Sequence, residues 1–260
     1  MLPKIYQNFL EQGIFTISEV TALIGDRQQA SNQVNILKKR GYFLKIKPGL
    51  YAVVPHERIG KSYTPDKFLI ATRLAKPYVV SYHAALELHG IGHSLYHSVH
   101  VASPKKFRRF TFQGITYVWV SSRDLFGLTS VIRAGHPIQV TDLEKTIVDC
   151  VQKPAYAGGV GELFKSLEGV PYINYRRLLG YLEKIGQKAL LAKVGYLLET
   201  FQERWGIPAA VIHDLASRVS AIKYYFPQRL RRGEGKLLSR WNLVVPRAMD
   251  RLLGIDVRDV

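Results

Sequence analysis

Five of the chain's eight histidines, His83, His89, His93, His97 and His100, fall within "SYHAALELHGIGHSLYHSVHV" at residues 81–101, a density that raises metal ligation or proton relay. Local spacing argues against a shared centre. His83 and His89 stand six residues apart on an expected short helix and so point to well-separated faces. His89 and His93 have the i, i+4 spacing of a metal-binding pair, but Gly90 and Gly92 break the helix that this spacing presupposes. His97 and His100, three apart on an expected strand, point to opposite faces. No metal and no cofactor is expected.

A second chemical option is a Mg²⁺-dependent nuclease of the PD-D/E-x-K type, suggested by Asp142, Glu144 and Lys145 in "TDLEKTIVDC". Such groups sit across neighbouring strands, whereas Leu143, Ile147 and Val151 here recur at helical spacing, and Thr141 with Glu144 reads as a helix capping box. "GGVGELF" at 158–164 lacks the preceding strand and the Gly-Lys-Ser/Thr ending of a phosphate loop, so it reads as a turn before a helix. The single Cys150 excludes an intramolecular disulfide and falls in an apolar helix as core filling. No catalytic residue is assigned on these patterns.

The elements that must position any site come next. The 260 residues suffice for two ordinary units, and 15 Tyr and 11 Phe argue for a folded protein and not a disordered basic tail. No apolar run reaches the roughly 18 residues of a membrane span, and "MLPKIYQNFLEQG" lacks a signal-peptide layout, so no membrane association and a cytoplasmic location are expected. Against 20 Asp and Glu stand 37 Lys and Arg, a net charge of +17 that favours a polyanionic partner.

Residues 1–60 read as three helices and a hairpin. The first helix, Lys4 to Glu11, carries Ile5, Phe9 and Leu10 on one side. The second begins in "FTISEVTALIG", with Thr16 and Glu19 forming a capping box, Phe15 and Val20 a hydrophobic staple, and Gly25 the stop. Asp26 caps the third helix, which turns Ala30, Val34 and Leu37 inward and presents Gln28, Asn32, Asn35 and Lys39 as a polar stripe. "YFLKIKPGLYAVV" then makes a strand, a Pro48-Gly49 turn and a strand. This order predicts a winged helix-turn-helix over 1–60.

Asn and Gln pair in bidentate fashion with adenine in the major groove, so Gln28, Asn32 and Asn35 are expected to read bases, with Gln29 in the same DNA-binding set. Arg27, Ser31, Lys38, Lys39 and Arg40 would hold phosphates, and Lys45 and Lys47, pointing the same way along the wing, would straddle a minor groove or the backbone. Two further clusters extend the possible basic contacts: Lys105, Lys106, Arg108 and Arg109 in "SPKKFRRF", and Arg231 and Arg232, with Arg229, Lys236 and Arg240 nearby.

After a polar, two-proline linker at 55–67, residues 66–260 read as a larger mixed α/β region. Helices are expected around 67–75, 82–89 and 159–167, along "TDLEKTIVDCVQ", and from Asn174 to Trp205. Strands are expected in "HSVHVAS", "FRRFTF", "ITYVWVS" and "GHPIQV". The fold class is thus α/β of the α+β kind, a winged helix followed by a larger mixed domain.

The succession "ILKKRGYFLKIKPGLYAV", "VVSYHAALELHGI" and "VTDLEKTIVDCVQKPAYAGG" resembles the AbiEi family, antitoxins of bacterial and archaeal type IV toxin-antitoxin systems. The resemblance runs from about residue 5 to the basic tail. It implies an N-terminal winged helix that binds double-stranded DNA at promoter repeats and represses its own operon. It also implies a C-terminal domain needed for antitoxicity, a role in antiviral defence, and a nucleotidyltransferase-like toxin as functional partner without a stable complex. The resemblance assigns no catalytic residue to the C-terminal domain. A DNA-processing enzyme with its chemistry there, or a module that docks a protein or RNA, stands as the alternative.

Overall fold

The computed structural model describes residues 3–227, 230–231 and 233–249. Helix α1 (Lys4–Leu10) is followed by strand β1 (Ile14–Thr16), helices α2 (Ile17–Ile24) and α3 (Arg27–Lys39), and strands β2 (Phe43–Lys47) and β3 (Leu50–Val53). The three strands form an antiparallel sheet in the order β1-β3-β2, which completes a winged helix-turn-helix. Its core is Tyr6, Phe9, Phe15, Val20, Ala30, Val34, Leu37, Phe43 and Val53, one contiguous cluster from all three helices and the sheet. Tyr6 takes the inward position where Leu10 was expected. Its ring is fully buried and its hydroxyl donates to the Val54 carbonyl at 2.9 Å, whereas Leu10 is exposed.

Local chemistry fixes each helix end. The Thr16 hydroxyl accepts from the Glu19 amide at 3.3 Å, and the Glu19 carboxylate accepts from the Thr16 amide at 2.7 Å, a complete capping box. Gly25 closes α2 at φ +88°, a left-handed conformation that a side chain would strain. One residue later the Asp26 carboxylate accepts from the Gln29 amide at 2.6 Å and starts α3. The tight spacing of stop and start makes the turn of the helix-turn-helix.

Beyond a 3₁₀ turn at His56–Arg58 come α4 (Lys67–Ala71), β4 (Val79–Ser81), α5 (His83–Leu88), β5 (Ser98–Ser103), β6 (Phe110–Phe112), β7 (Ile115–Ser121), β8 (Leu128–Arg133) and β9 (His136–Thr141). The six strands form one mixed sheet in the order β6-β7-β5-β4-β9-β8, with β5 parallel to β7 and β6 antiparallel to it. Strands β4 and β8 had no counterpart among the sequence expectations. The "FRRFTF" strand is shorter than expected, because residues 104–109 leave the ladder as a loop and only Phe110–Phe112 pair.

Helices α6 (Leu143–Gln152), α7 (Val160–Glu168), α8 (Tyr175–Ile185), α9 (Lys188–Thr200), α10 (Gln202–Trp205) and α11 (Ala209–Ser217) follow, then β10 (Tyr224–Tyr225), β11 (Gly235–Leu238) and β12 (Leu243–Pro246). Helix α9 packs against α6 and α11 and buries Leu190, Val194, Leu197 and Leu198, so it is the central helix of this region. The chain thus has a mixed α+β fold.

The chain divides into two compact units that interleave along the sequence. The first comprises residues 1–80, 97–125 and 130–139, and the second 81–96, 126–129 and 140–260. The winged helix therefore shares a unit with most of β5–β9, and residues 55–67 lie wholly within that unit.

Candidate nucleic-acid interface

Helix α3 carries the candidate reading surface. Ala30, Val34 and Leu37 are buried, and the side directed away from them exposes Gln28, Asn32, Asn35 and Lys39. The Gln28 amide donates to Asn32 Oδ1 at 3.3 Å, linking two members of the stripe one turn apart. Arg27, Gln29 and Arg40 are exposed beside it, and Ser31 and Lys38 are half-buried. The helix contains no acidic residue, and the Asp26 carboxylate just before it is engaged as the cap. Gln33 and Ile36, also exposed, were not singled out from sequence. Ile36 is apolar and reads as core by type alone, yet an exposed aliphatic chain on this helix is what a thymine methyl contact uses.

The two wing lysines differ. Lys45 is exposed, but Lys47 is half-buried with its ammonium 4.7 Å from the Phe110 ring centroid and 5.7 Å from that of Phe107. The strand register shifts between them, so they are not equivalent positions along one ladder. Burial holds the Lys47 ammonium below the usual lysine range. Phe107 is itself buried, and the loop it anchors exposes Lys105, Lys106, Arg108 and Arg109. The wing and this four-cation loop are thereby tied to one another within the first unit.

Arg231, Lys236 and Arg240 belong to the second unit. Arg231 is exposed, and Arg240 is paired with Glu199 at 2.7 Å. Lys236 is half-buried, while Arg229 and Arg232 lie outside the described residues.

The carboxylates considered for catalysis are engaged in structure. Asp142, not Thr141, caps α6, accepting from the Lys145 amide at 2.8 Å. Thr141 is the last residue of β9 and its hydroxyl is hydrogen-bonded to that of Thr146, which removes it from the cap. The other Asp142 oxygen accepts from the Tyr181 hydroxyl at 2.5 Å. Glu144 accepts from the Asn174 amide at 2.8 Å and lies 3.5 Å from Arg177. Lys145 pairs with Asp149, whose carboxyl burial pushes up even against the pull of that lysine. Burial likewise pushes the Cys150 thiol up.

The histidines separate into local roles. His83 is fully buried, with Nδ1 3.2 Å from Glu87 and Nε2 3.1 Å from Glu162, and its ring stacks on Tyr96. His89 Nε2–H donates to the Thr141 carbonyl at 2.7 Å. His93 and His97 are exposed, and His100 is buried on β5. Among the described residues no group of three or more His, Cys, Asp or Glu side chains is arranged to hold a metal ion. Glu162, in the first turn of α7, also accepts from the Ser94 amide at 2.8 Å and hydroxyl at 2.9 Å. The histidine-rich stretch is thus pinned to the turn-and-helix segment that "GGVGELF" encodes.

No protein-family model matches the chain, and no curated protein matches it. Among solved structures, a crystal structure of the RV2827C protein from Mycobacterium tuberculosis is similar in fold, with a TM-score of 0.68 over 98% of this chain and 95% of that one. The two sequences are 14% identical, so the likeness speaks to the fold alone.

Proposed function

We propose that the protein is a sequence-specific DNA-binding repressor of its own operon and the antitoxin of a type IV toxin-antitoxin system. The observation that carries the DNA-binding part is the exposed amide stripe of Gln28, Asn32 and Asn35 on the second helix of a helix-turn-helix whose opposite side is locked into the core. An α-helix fits the major groove, and amide side chains offer the paired donor and acceptor that adenine presents there. Arg27, Lys38, Lys39, Arg40 and Lys45 flank the stripe and hold phosphates, and Lys105, Lys106, Arg108 and Arg109 lengthen the footprint beside the wing. The antitoxin part is supported by the AbiEi resemblance, which supplies promoter repeats as the operator and a nucleotidyltransferase-like toxin as the functional partner, without a stable complex. In this reading the protein is cytoplasmic, needs no cofactor and performs no catalysis.

The test is binding to its own promoter duplex against a scrambled duplex of equal length. Preference for the promoter is expected, falling toward the scrambled level in Asn32→Ala/Asn35→Ala. Equal affinity for both duplexes in the unaltered protein would sink the repressor reading. Suppression of the toxicity of a nucleotidyltransferase-like protein encoded next to it tests the antitoxin part, and unrelieved toxicity would refute it.

A further inference from the structure

Between Arg27 and Lys38, helix α3 carries no charged residue. What it exposes there is five amides, Gln28, Gln29, Asn32, Gln33 and Asn35, and one aliphatic chain, Ile36, which is 45% exposed. This distribution is informative because the bases ask for different partners in the major groove. Guanine presents two acceptors that call for Arg or Lys, and cytosine a donor that calls for Asp or Glu. Neither type is on offer along the middle of α3. Adenine presents the donor and acceptor pair that an amide matches, and thymine a methyl group that an apolar side chain covers.

Ala30, Val34 and Leu37 supply the helix's share of the core, and Ile36 lies outside it. It stands one turn beyond Asn32, about 40° around the helix and about 6 Å along it, a rise of roughly two base-pair steps. We propose that α3 reads a stretch of A·T pairs from the major groove, with Asn32 on the N6–N7 edge of an adenine and Ile36 on the 5-methyl group of a nearby thymine. This rests on the DNA-binding reading above and names the base chemistry that such a reading takes. The methyl group then belongs to what is recognised, and uracil in its place keeps the pairing while losing the contact. Because A·T stretches also attract cations through their narrow minor groove, the experiment must separate the two grooves.

The full chain is used to select its preferred duplex from a random pool, and base analogues are then placed in the core of that duplex. Replacing thymine by uracil removes one methyl group and is expected to weaken binding about fourfold at one or more positions. Diaminopurine opposite thymine keeps the major groove of an A·T pair and adds an amino group to the minor groove, so affinity should hold. Inosine opposite cytosine does the reverse and should cost about tenfold or more. Ile36→Ala, at an exposed position, should keep the melting temperature and erase the uracil penalty, while Ile36→Val should retain most of it. A preferred core of G·C pairs, uracil tolerated at every position, a uracil penalty undiminished in Ile36→Ala, or a heavier loss from diaminopurine than from inosine would each overturn the inference and leave DNA binding standing. Selection of no sequence at all would overturn it together with the repressor reading.

Discussion

Under the proposed DNA-binding role, Asn32 and Asn35 are the residues on which discrimination between sequences should turn. Each good bidentate base contact is worth about 1–3 kcal/mol, so Asn32→Ala and Asn35→Ala are expected to cost roughly that at the promoter and little on random duplexes. The two wing lysines should part company. Lys45→Ala is expected to lower the salt slope of binding by about one unit, as loss of one phosphate contact does. Lys47→Ala removes a cation packed over Phe107 and Phe110, so its main effect should be a lower melting temperature and a looser 104–109 loop, read by amide exchange. The α3 stripe was legible in the sequence because an exposed helical side needs only its own period to be recognised. Lys47 was not, because its partners lie some sixty residues away along the chain. The cap of α6 shows the same limit at one-residue scale. "TDLEK" offers Thr141 or Asp142 as cap, and tertiary bonds from Thr146, Tyr181 and Asn174 decide for Asp142.

At the scale of elements, the helix-turn-helix start depends on Glu19. Burial would raise its carboxyl, but hydrogen bonds from the Thr16 amide and hydroxyl, the Arg73 charge and the Gln12 amide outweigh it and hold the group below its ordinary range. A depressed carboxyl contributes stability above its unfolded-state value and loses it as pH falls through the folded-state value. Glu162 behaves alike: burial raises it, and the bonds from His83 and Ser94 prevail. Thermal melting should therefore weaken as pH drops through the carboxylate range, and Glu19→Gln should flatten part of that decline. An unchanged acid limb would show that Glu19 is not differentially held. Thr16→Ala should cost about 1 kcal/mol by denaturant unfolding. In the second unit Gly195 lies against the Trp241 ring, whose Nε1–H donates to Glu199 at 2.5 Å. Gly195→Ala would press a methyl into that ring and is expected to cost about 1–3 kcal/mol. Helices with clear caps or periods were legible from sequence. β4 was not, being three residues long, and β8 was not, because five of its six residues are exposed and no alternation marks it.

For the whole molecule, the proposed DNA binding together with the +17 net charge predicts steep salt dependence, since each phosphate contact contributes about 0.9 to the slope of log affinity against log salt. A slope near zero on the promoter duplex would remove the basic surface from the recognition model. The composition made that charge legible, but the way the two units thread through one another was not, because a polar, proline-bearing stretch such as 55–67 reads as a boundary whatever it packs against. That threading has an evolutionary corollary. Segments 81–96 and 126–129 of one unit are enclosed in the sequence of the other, so a single recombination breakpoint anywhere between residues 81 and 139 splits at least one unit. Under the proposed DNA-binding role, a change of target sequence would come by point substitution on α3 and not by exchange of a contiguous module, with differences expected at Gln28, Asn32, Asn35 and their neighbours.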